Sequence, residues 1–405
     1  MGKTVEITPS LLSGRLIVPP SKSISHRALI CAALAKGKSE IINLLDCADT
    51  NATIEILREL GAKISRNGNV TTVYGIEKPN QDVNANCGES GSTLRFLIPV
   101  AAALGCNASF SGKGKLPERP IDPYFTELTK NGIMFKTKTM PYKISGQLTN
   151  GEFALAGNIS SQFITGLLFA LPLLRGDSEI LITSTLQSKP YVNITIDQLK
   201  KCGIKIEETQ KGYFVSGGQT FKPCNTEIEA DMSQAAFFIA ANALGSNIEI
   251  EGLNTESLQG DRAILDILKE SKGNAFNVDA SQIPDLVPIL TVLAAFSKGV
   301  SHITNCGRLR IKECDRLAAI SAELNKLGAK ITENPDNLII EGVDSIHGGE
   351  CETYNDHRIP MALAIASTRS TEPIILKNAE CVSKSYPNFF EDFRSIGGNI
   401  NVIND

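Results

Sequence analysis

The sequence predicts an α/β protein of two domains, each assembled from three β-α-β-α-β-β units. Three observations carry this. Glycines 61, 132, 203, 273, 328 and 397 each close a helical pattern and open an alternating, strand-like one, the first three at intervals of 71 residues. Upstream of these helices lie others that are apolar nearly all round and run into a short strand, as in "STLRFLIPVAAALG" followed by "NASFSG". At 405 residues, the chain is long enough for two or three domains with large cores.

Each element has a local reason. A glycine just past a helix takes the left-handed conformation that ends it. The alternation that follows, as in "AKISRNGNVTTVYG", is that of one or two half-buried strands. A helix that is apolar all round is buried in a domain centre. Such a unit cannot cover both faces of its helices alone and must pack on sister units. Six copies fill nearly the whole chain. The opening strand "GRLIVPP" is assigned to the second half. The expected domains are therefore 20–228, and 1–19 with 229–405, with the active site in the cleft between them.

Composition removes several function classes. Net charge is -4 and aromatics are 6%, with no Trp, which argues against nucleic-acid binding and base stacking. The longest apolar stretches, such as "FITGLLFALPLL", fall short of a membrane span. "MGKTVEITPS" has no apolar core of a secretory signal. The ten cysteines form no C-x-x-C pair, and free thiols in a reducing cytosol are expected. The four histidines have no zinc-like spacing, so no metal is expected.

The chemistry gathers where helices begin. First helices open on "SKSISHR", "GESGSTLR", "NISSQF", "ADMSQ", "SQIPD" and "YNDHR"; second helices follow "KLPERPID", "LQSKPY", "RLRIKECDR" and "CVSKSYP". Helix N-termini present free N–H groups and partial positive charge, so they attract anions. Lys22, Arg27, Arg95, Arg119, Lys312, Arg316, Arg358 and Lys384 stand beside them. If they converge, the field is strongly positive and suits a small polyanion. Ser23 and Ser25 fit capping of the first helix, with Lys22 and Arg27 left for a ligand. Asp285, Glu313, Asp356 and His357 are the candidate acids and bases. Asp285 equally fits a helix cap, and Glu313 an i,i+3 surface ion pair with Arg316. "GESGST" is neither G-x-G-x-x-G nor a Walker A, and no G-x-S-x-G elbow is present.

Taken in order, "PPSKSISHRAL", "GESGSTLRF", "LPERPID", "SSQF", "SKPYVNIT", "IPDLVP", "IKECDRL", "YNDHRIPMA" and "SKSYPNFF" resemble the motifs of the EPSP synthase family, the 3-phosphoshikimate 1-carboxyvinyltransferases. The resemblance covers essentially the whole chain. It implies an inside-out α/β barrel of two domains, each of three β-α-β-α-β-β units, closing over the substrates. It implies transfer of the enolpyruvyl group of phosphoenolpyruvate to the 5-hydroxyl of shikimate 3-phosphate, on the pathway to aromatic amino acids. Inorganic phosphate leaves through a tetrahedral ketal phosphate. No metal or organic cofactor is implied. The partners are the two small-molecule substrates, with no nucleic acid and no membrane, and a cytoplasmic monomer is expected.

Site residues carry over motif by motif. By resemblance, Lys22 lies between both substrates. Ser23, Arg27, Ser160, Ser161, Gln162, Ser188 and Tyr191 hold shikimate 3-phosphate, and Asp285 and Lys312 its hydroxyls. Gly91, Ser92, Arg119, Gln162, Arg316, Arg358 and Lys384 face phosphoenolpyruvate. Asp285 takes the hydroxyl proton, and Glu313 with Lys22 serves the methylene carbon. This chain departs from the pattern at His26, where members often carry Asn, and at Arg308, where some do. Its glycine loop reads "ESGST" for "NAGT", so the resemblance leaves sensitivity to glyphosate open. The sister transferase acting on UDP-N-acetylglucosamine looks for a loop cysteine that "SGKGKLPERPID" lacks. An RNA terminal-phosphate cyclase shares the repeat unit, but it needs a basic nucleic-acid surface that this mildly acidic chain does not promise. A non-catalytic relative would bind the same anions without releasing phosphate.

Overall fold

The computed structural model describes residues 2–404 and divides the chain into two units, Pro20–Glu229 and Met1–Pro19 with Ala230–Asp405. Twelve helices are used below: α1 (Lys22–Leu34), α2 (Ala48–Glu59), α3 (Gly91–Ala103), α4 (Asp122–Lys130), α5 (Ser161–Ala170), α6 (Lys189–Lys201), α7 (Met232–Ala243), α8 (Ala263–Ser271), α9 (Val287–Ala295), α10 (Arg316–Lys326), α11 (Arg358–Ala366) and α12 (Phe389–Ser395).

The unit Pro20–Glu229 holds three four-stranded sheets of one topology. In the middle copy, Asp82–Asn86 pairs in parallel with Asn107–Ser111 across α3, with Asp82 opposite Asn107. Tyr142–Gly146 then adds antiparallel and Ile133–Phe135 closes the edge, after α4. The parallel pair is the β-α-β crossover, and the antiparallel pair is the hairpin that ends each copy. Glu152–Leu155, Ser178–Ile182, Gly212–Val215 and Glu207–Thr209 repeat the order around α5 and α6. In the copy built on α1 and α2, the first strand is Thr226–Glu227, from the far end of this unit.

The other unit uses the same device. The N-terminal strand Lys3–Thr8 lies between Ile374–Lys377 and Asn399–Asn404, both antiparallel, and so supplies the last strand of the sixth copy. Ser13–Ile17 pairs in parallel with Asn247–Glu251 and opens the fourth. That fourth copy departs from the expected six equal units. It keeps α7 and α8 but no hairpin, and its sheet has two strands. The extended segment after Gly273, Asn277–Asp279, pairs with Val300–Thr304 and starts the next copy instead. The short segment 272–283, between α8 and Pro284, leaves no room for a hairpin and a further strand.

The six helix-ending glycines all have positive φ, between 79° and 114°. The apolar helices form the two cores. Every residue of α9 and of α11 is buried, whereas α8 buries only Ile264. In one unit α3 packs on α5 and α1 on α6; in the other, α7, α9 and α11 pack on one another. All ten cysteines are free. Among the described residues no helix is long and apolar enough to cross a membrane, and no cluster of His, Cys, Asp or Glu is arranged to hold a metal ion.

Candidate active site

The helix starts are built much alike. Ser21, Ser90, Ser160, Asp231 and Asp315 cap α1, α3, α5, α7 and α10, each accepting a hydrogen bond from a backbone N–H of the first turn. This corrects the capping expected of Ser23 and Ser25. Ser21 is the cap, Ser23 is helical, and the Ser25 hydroxyl accepts from Leu45 N at 3.2 Å. A serine inside the first turn has no free N–H ahead of it to cap.

In Pro20–Glu229 the cations are held mostly by neutral oxygens. Arg27 donates from Nε to the Thr195 hydroxyl at 2.8 Å, and from its terminal nitrogens to Ser23 O at 2.7 Å and Tyr191 O at 2.9 Å. Burial draws its pKa down to about 10, and the guanidinium lies over the Phe96 ring. Arg95 donates to Pro120 O at 2.8 Å and to Gln162 Oε1 at 2.7 Å. Gln162 in turn donates to Ser92 Oγ at 2.9 Å, which joins α3 to α5. Arg119 lies against Gly91, where a Cβ would come within 2.7 Å of its guanidinium carbon. Gly91 is therefore the residue that lets this side chain cross the start of α3. Lys22, by contrast, places its ammonium on a carboxylate, pairing with Asp49 at 2.9 Å.

Ser161 is the buried first residue of α5. Ser188 caps α6 in the left-handed region, at φ 57° and ψ 38°, which a serine rarely adopts. His26 accounts for one departure from the family pattern. Its Nδ1 meets the Thr53 hydroxyl at 2.8 Å, and Thr53 meets Thr93 at 2.7 Å, so it ties α1 to α2 and α3. Burial, then Lys22 and Arg27, hold its pKa well below the usual range and keep it neutral. Arg308, the other departure, donates to Ser281 O at 2.8 Å.

In the second unit the two arginines that open helices meet carboxylates. Arg316 opens α10 and is 2% exposed. It contacts Asp285 at 3.0 Å, Glu313 at 2.8 Å and the fully buried Asp356 at 2.7 Å. Arg358 opens α11 and pairs with Asp285 at 2.9 Å. Asp285 thus bridges two guanidiniums, and its side chain is committed to them rather than to a helix cap. The Glu313–Arg316 pair is i,i+3, but its guanidinium is buried and Glu313 is half-buried. Burial raises the Asp285 carboxyl, but Arg358, Lys312 and Arg316 outweigh this and hold it far below the usual range. Burial draws Lys312 down to about 7, against the pull of Asp285. Lys384 donates to Asn355 O. The strongly positive field expected from the cations alone is therefore offset here, since buried guanidiniums need charged partners.

Two carboxylates carry no motif that marks them in the sequence. Asp49 holds Lys22 from 27 residues away. Asp261 is buried, receives the Ser233 hydroxyl, and is pushed up to about 7 by burial and then by the charge of Asp285. Neither lies at the start of a motif-bearing helix. The polar run "QGDR" ahead of α8 is the signal the sequence offers for Asp261.

Two sets of helix starts crowded with cations, hydroxyls and carboxylates define an α/β protein that carries the groups suited to small anions and to acid–base chemistry. Its fold is that of an EPSP synthase structure from Acinetobacter baumannii, with a TM-score of 0.83 at 24% identity over 99% of this chain and all of that one. The EPSP synthase (3-phosphoshikimate 1-carboxyvinyltransferase) family model matches residues 7–393, and the chain belongs to that family. Relatives named 3-phosphoshikimate 1-carboxyvinyltransferase include one from Clostridium kluyveri, 47% identical over 98% of both chains, and one from Clostridium beijerinckii, 46% identical over 97% of both.

Proposed function

We propose that this protein transfers the enolpyruvyl group of phosphoenolpyruvate to the 5-hydroxyl of shikimate 3-phosphate, releasing inorganic phosphate. The observation that carries this is 46–47% identity, over nearly the full length of both chains, to proteins bearing that activity's name. The 5-hydroxyl oxygen attacks C2 of the enolpyruvate as its proton leaves, and C3 gains a proton. The resulting ketal phosphate then loses phosphate from C2 as C3 gives up a proton and the double bond re-forms.

The roles proposed for single residues follow their chemistry. Ser23, Arg27, Ser160, Ser161, Gln162, Ser188 and Tyr191 hold shikimate 3-phosphate, and Lys312 its hydroxyls. Lys22, Gly91, Ser92, Arg119, Gln162, Arg316, Arg358 and Lys384 serve phosphoenolpyruvate, whose phosphate and carboxylate suit guanidinium forks and ammonium charges. Asp285 takes the hydroxyl proton, and Glu313 with Lys22 serves C3.

Asp285 is a poor base while Arg316 and Arg358 hold it, at 3.0 and 2.9 Å. Phosphoenolpyruvate competes for the same two guanidiniums. As it takes them, Asp285 loses the charges that depress its pKa and becomes a better base for the hydroxyl. Binding of one substrate thereby readies the group that deprotonates the other.

The test is phosphate release from phosphoenolpyruvate, with shikimate 3-phosphate and UDP-N-acetylglucosamine offered separately. Release is expected only with the shikimate ester. Release only with the sugar nucleotide would make this the sister transferase, and none with either would leave an anion binder.

A further inference from the structure

We propose that Tyr354 is a positioning residue for the phosphoenolpyruvate-binding groups, acting through its hydroxyl bond to the buried carboxylate of Glu323. This rests on the roles proposed for Arg316, Arg358 and Lys384.

The segment between the strand Gly349–Glu352 and α11 makes an unusual turn. Tyr354 and Asn355 are consecutive residues in the left-handed region, at φ 53° and 52°. Asparagine enters that region with modest cost, but tyrosine rarely does. Something must therefore hold Tyr354 there. Core burial is not the answer, because the residue is 43% exposed. Its hydroxyl, however, donates to Glu323 Oε1 at 2.7 Å.

Glu323 is anchored in its own right. It lies on α10 and is buried. Its Oε2 accepts from Lys326 Nζ at 2.6 Å and from Glu352 N, at the end of the strand, at 3.2 Å. Thr353 pins the other side of the turn by donating to Asn378 O at 3.0 Å. Tyr354 and Glu323 thus lock the turn to the same helix that begins with Arg316.

What the turn presents is the anion-binding end of this unit. Asn355 O receives the Lys384 ammonium. Asp356 accepts from Arg316 Nε at 2.7 Å and from Arg358 N at 2.9 Å. Asp356 N donates to Thr353 O at 3.0 Å, so the carboxylate direction depends on the turn. Relaxing Tyr354 out of the left-handed region would re-aim the peptide that holds Lys384 and the carboxylate that holds the Arg316 guanidinium and the Arg358 backbone N–H. Asp285 and Lys312 reach the site from other elements and would be less disturbed.

The experiment compares Tyr354→Phe, Glu323→Ala and Glu323→Gln with wild type, by steady-state phosphate release with each substrate varied in turn. Tyr354→Phe and Glu323→Ala are expected to raise KM for phosphoenolpyruvate about tenfold, the loss of one hydrogen bond to a charged group. KM for shikimate 3-phosphate should stay within about twofold. Glu323→Gln should restore near wild-type behaviour, because an amide still pairs with the tyrosine hydroxyl and with Glu352 N. Amide hydrogen exchange at residues 355–358 should quicken in Tyr354→Phe and not in Glu323→Gln. Equal rises in both KM values, or unchanged KM with unchanged exchange, would overturn the proposal. If wild type releases no phosphate, the functional reading fails, while the exchange comparison still decides whether Tyr354 holds the turn.

Discussion

Arg27 and Arg95, in Pro20–Glu229, give their donors to a threonine hydroxyl, backbone carbonyls and a glutamine amide. Arg316 and Arg358, in the other unit, give theirs to Asp285, Glu313 and Asp356. Both pairs are buried within the first two turns of their helices, yet they are prepared for different work. A guanidinium on neutral acceptors keeps its full charge for an incoming anion and releases nothing when the anion arrives. One on carboxylates must exchange a partner, and the freed carboxylate is then a base. On this view the first set binds, and the second couples binding to proton transfer.

The largest effect should come from removing the coupled base. Asp285→Asn is expected to lower kcat by about 10²–10⁴-fold, the usual weight of a positioned proton acceptor. Arg27→Met should act mainly on KM for shikimate 3-phosphate. Steady-state kinetics of the two variants separate these outcomes, and a kcat loss at Arg27 equal to that at Asp285 would erase the distinction.

Stability should show the same contrast. Arg316→Met takes the guanidinium from the fully buried Asp356 and one of two from Asp285, and should cost about 3–5 kcal/mol. Arg27→Met leaves neutral acceptors unpaired and should cost about 1–3 kcal/mol. The two losses should also differ in pH dependence. In wild type Asp285 titrates below its unfolded value of about 3.9, so its stabilising contribution is present above that pH and is lost as pH falls through the folded value. Urea denaturation at pH 7 should show the larger loss at Arg316, and that loss should shrink as pH is lowered below about 3.9 while the Arg27 loss stays constant. A pH-independent loss at Arg316 would mean that its pairing with Asp285 contributes nothing.

The smallest effect concerns Lys312. Burial draws it down to about 7, so it is an ammonium donor below that pH and neutral above. KM for shikimate 3-phosphate is expected to rise a few-fold between pH 7 and 9. Lys312→Arg, which stays charged, should flatten the rise. An equally flat wild-type profile would remove Lys312 from the titration.

Much of the fold was legible because its signals are local. A glycine after a helical pattern and an alternating segment beyond it need no knowledge of the rest of the chain. The apolar circumference of α9 or α11 announces burial on its own. The fourth copy misled because a repeat sets an expectation of equal copies, while only strand pairing reveals that Asn277–Asp279 belongs to the next sheet. The capping serine was misplaced because Ser21, Ser23 and Ser25 are chemically alike, and only the point where helical backbone begins separates them.

The site was legible as a set of charged side chains at helix starts, not as a set of pairings. By itself the sequence determined which residues carry charge, hydroxyl and glycine, and that they sit where helix N–H groups are free. Tertiary structure alone decided that Arg316 meets Asp285 and Asp356, 31 and 40 residues away, while Arg27 meets Thr195, 168 residues away. It also brought Asp49 to Lys22 and Tyr354 to Glu323. The physical reason is that propensity and periodicity act over one or two turns of chain. The state of a buried charge depends instead on the groups that packing brings within a few ångströms of it, and those come from anywhere in the sequence.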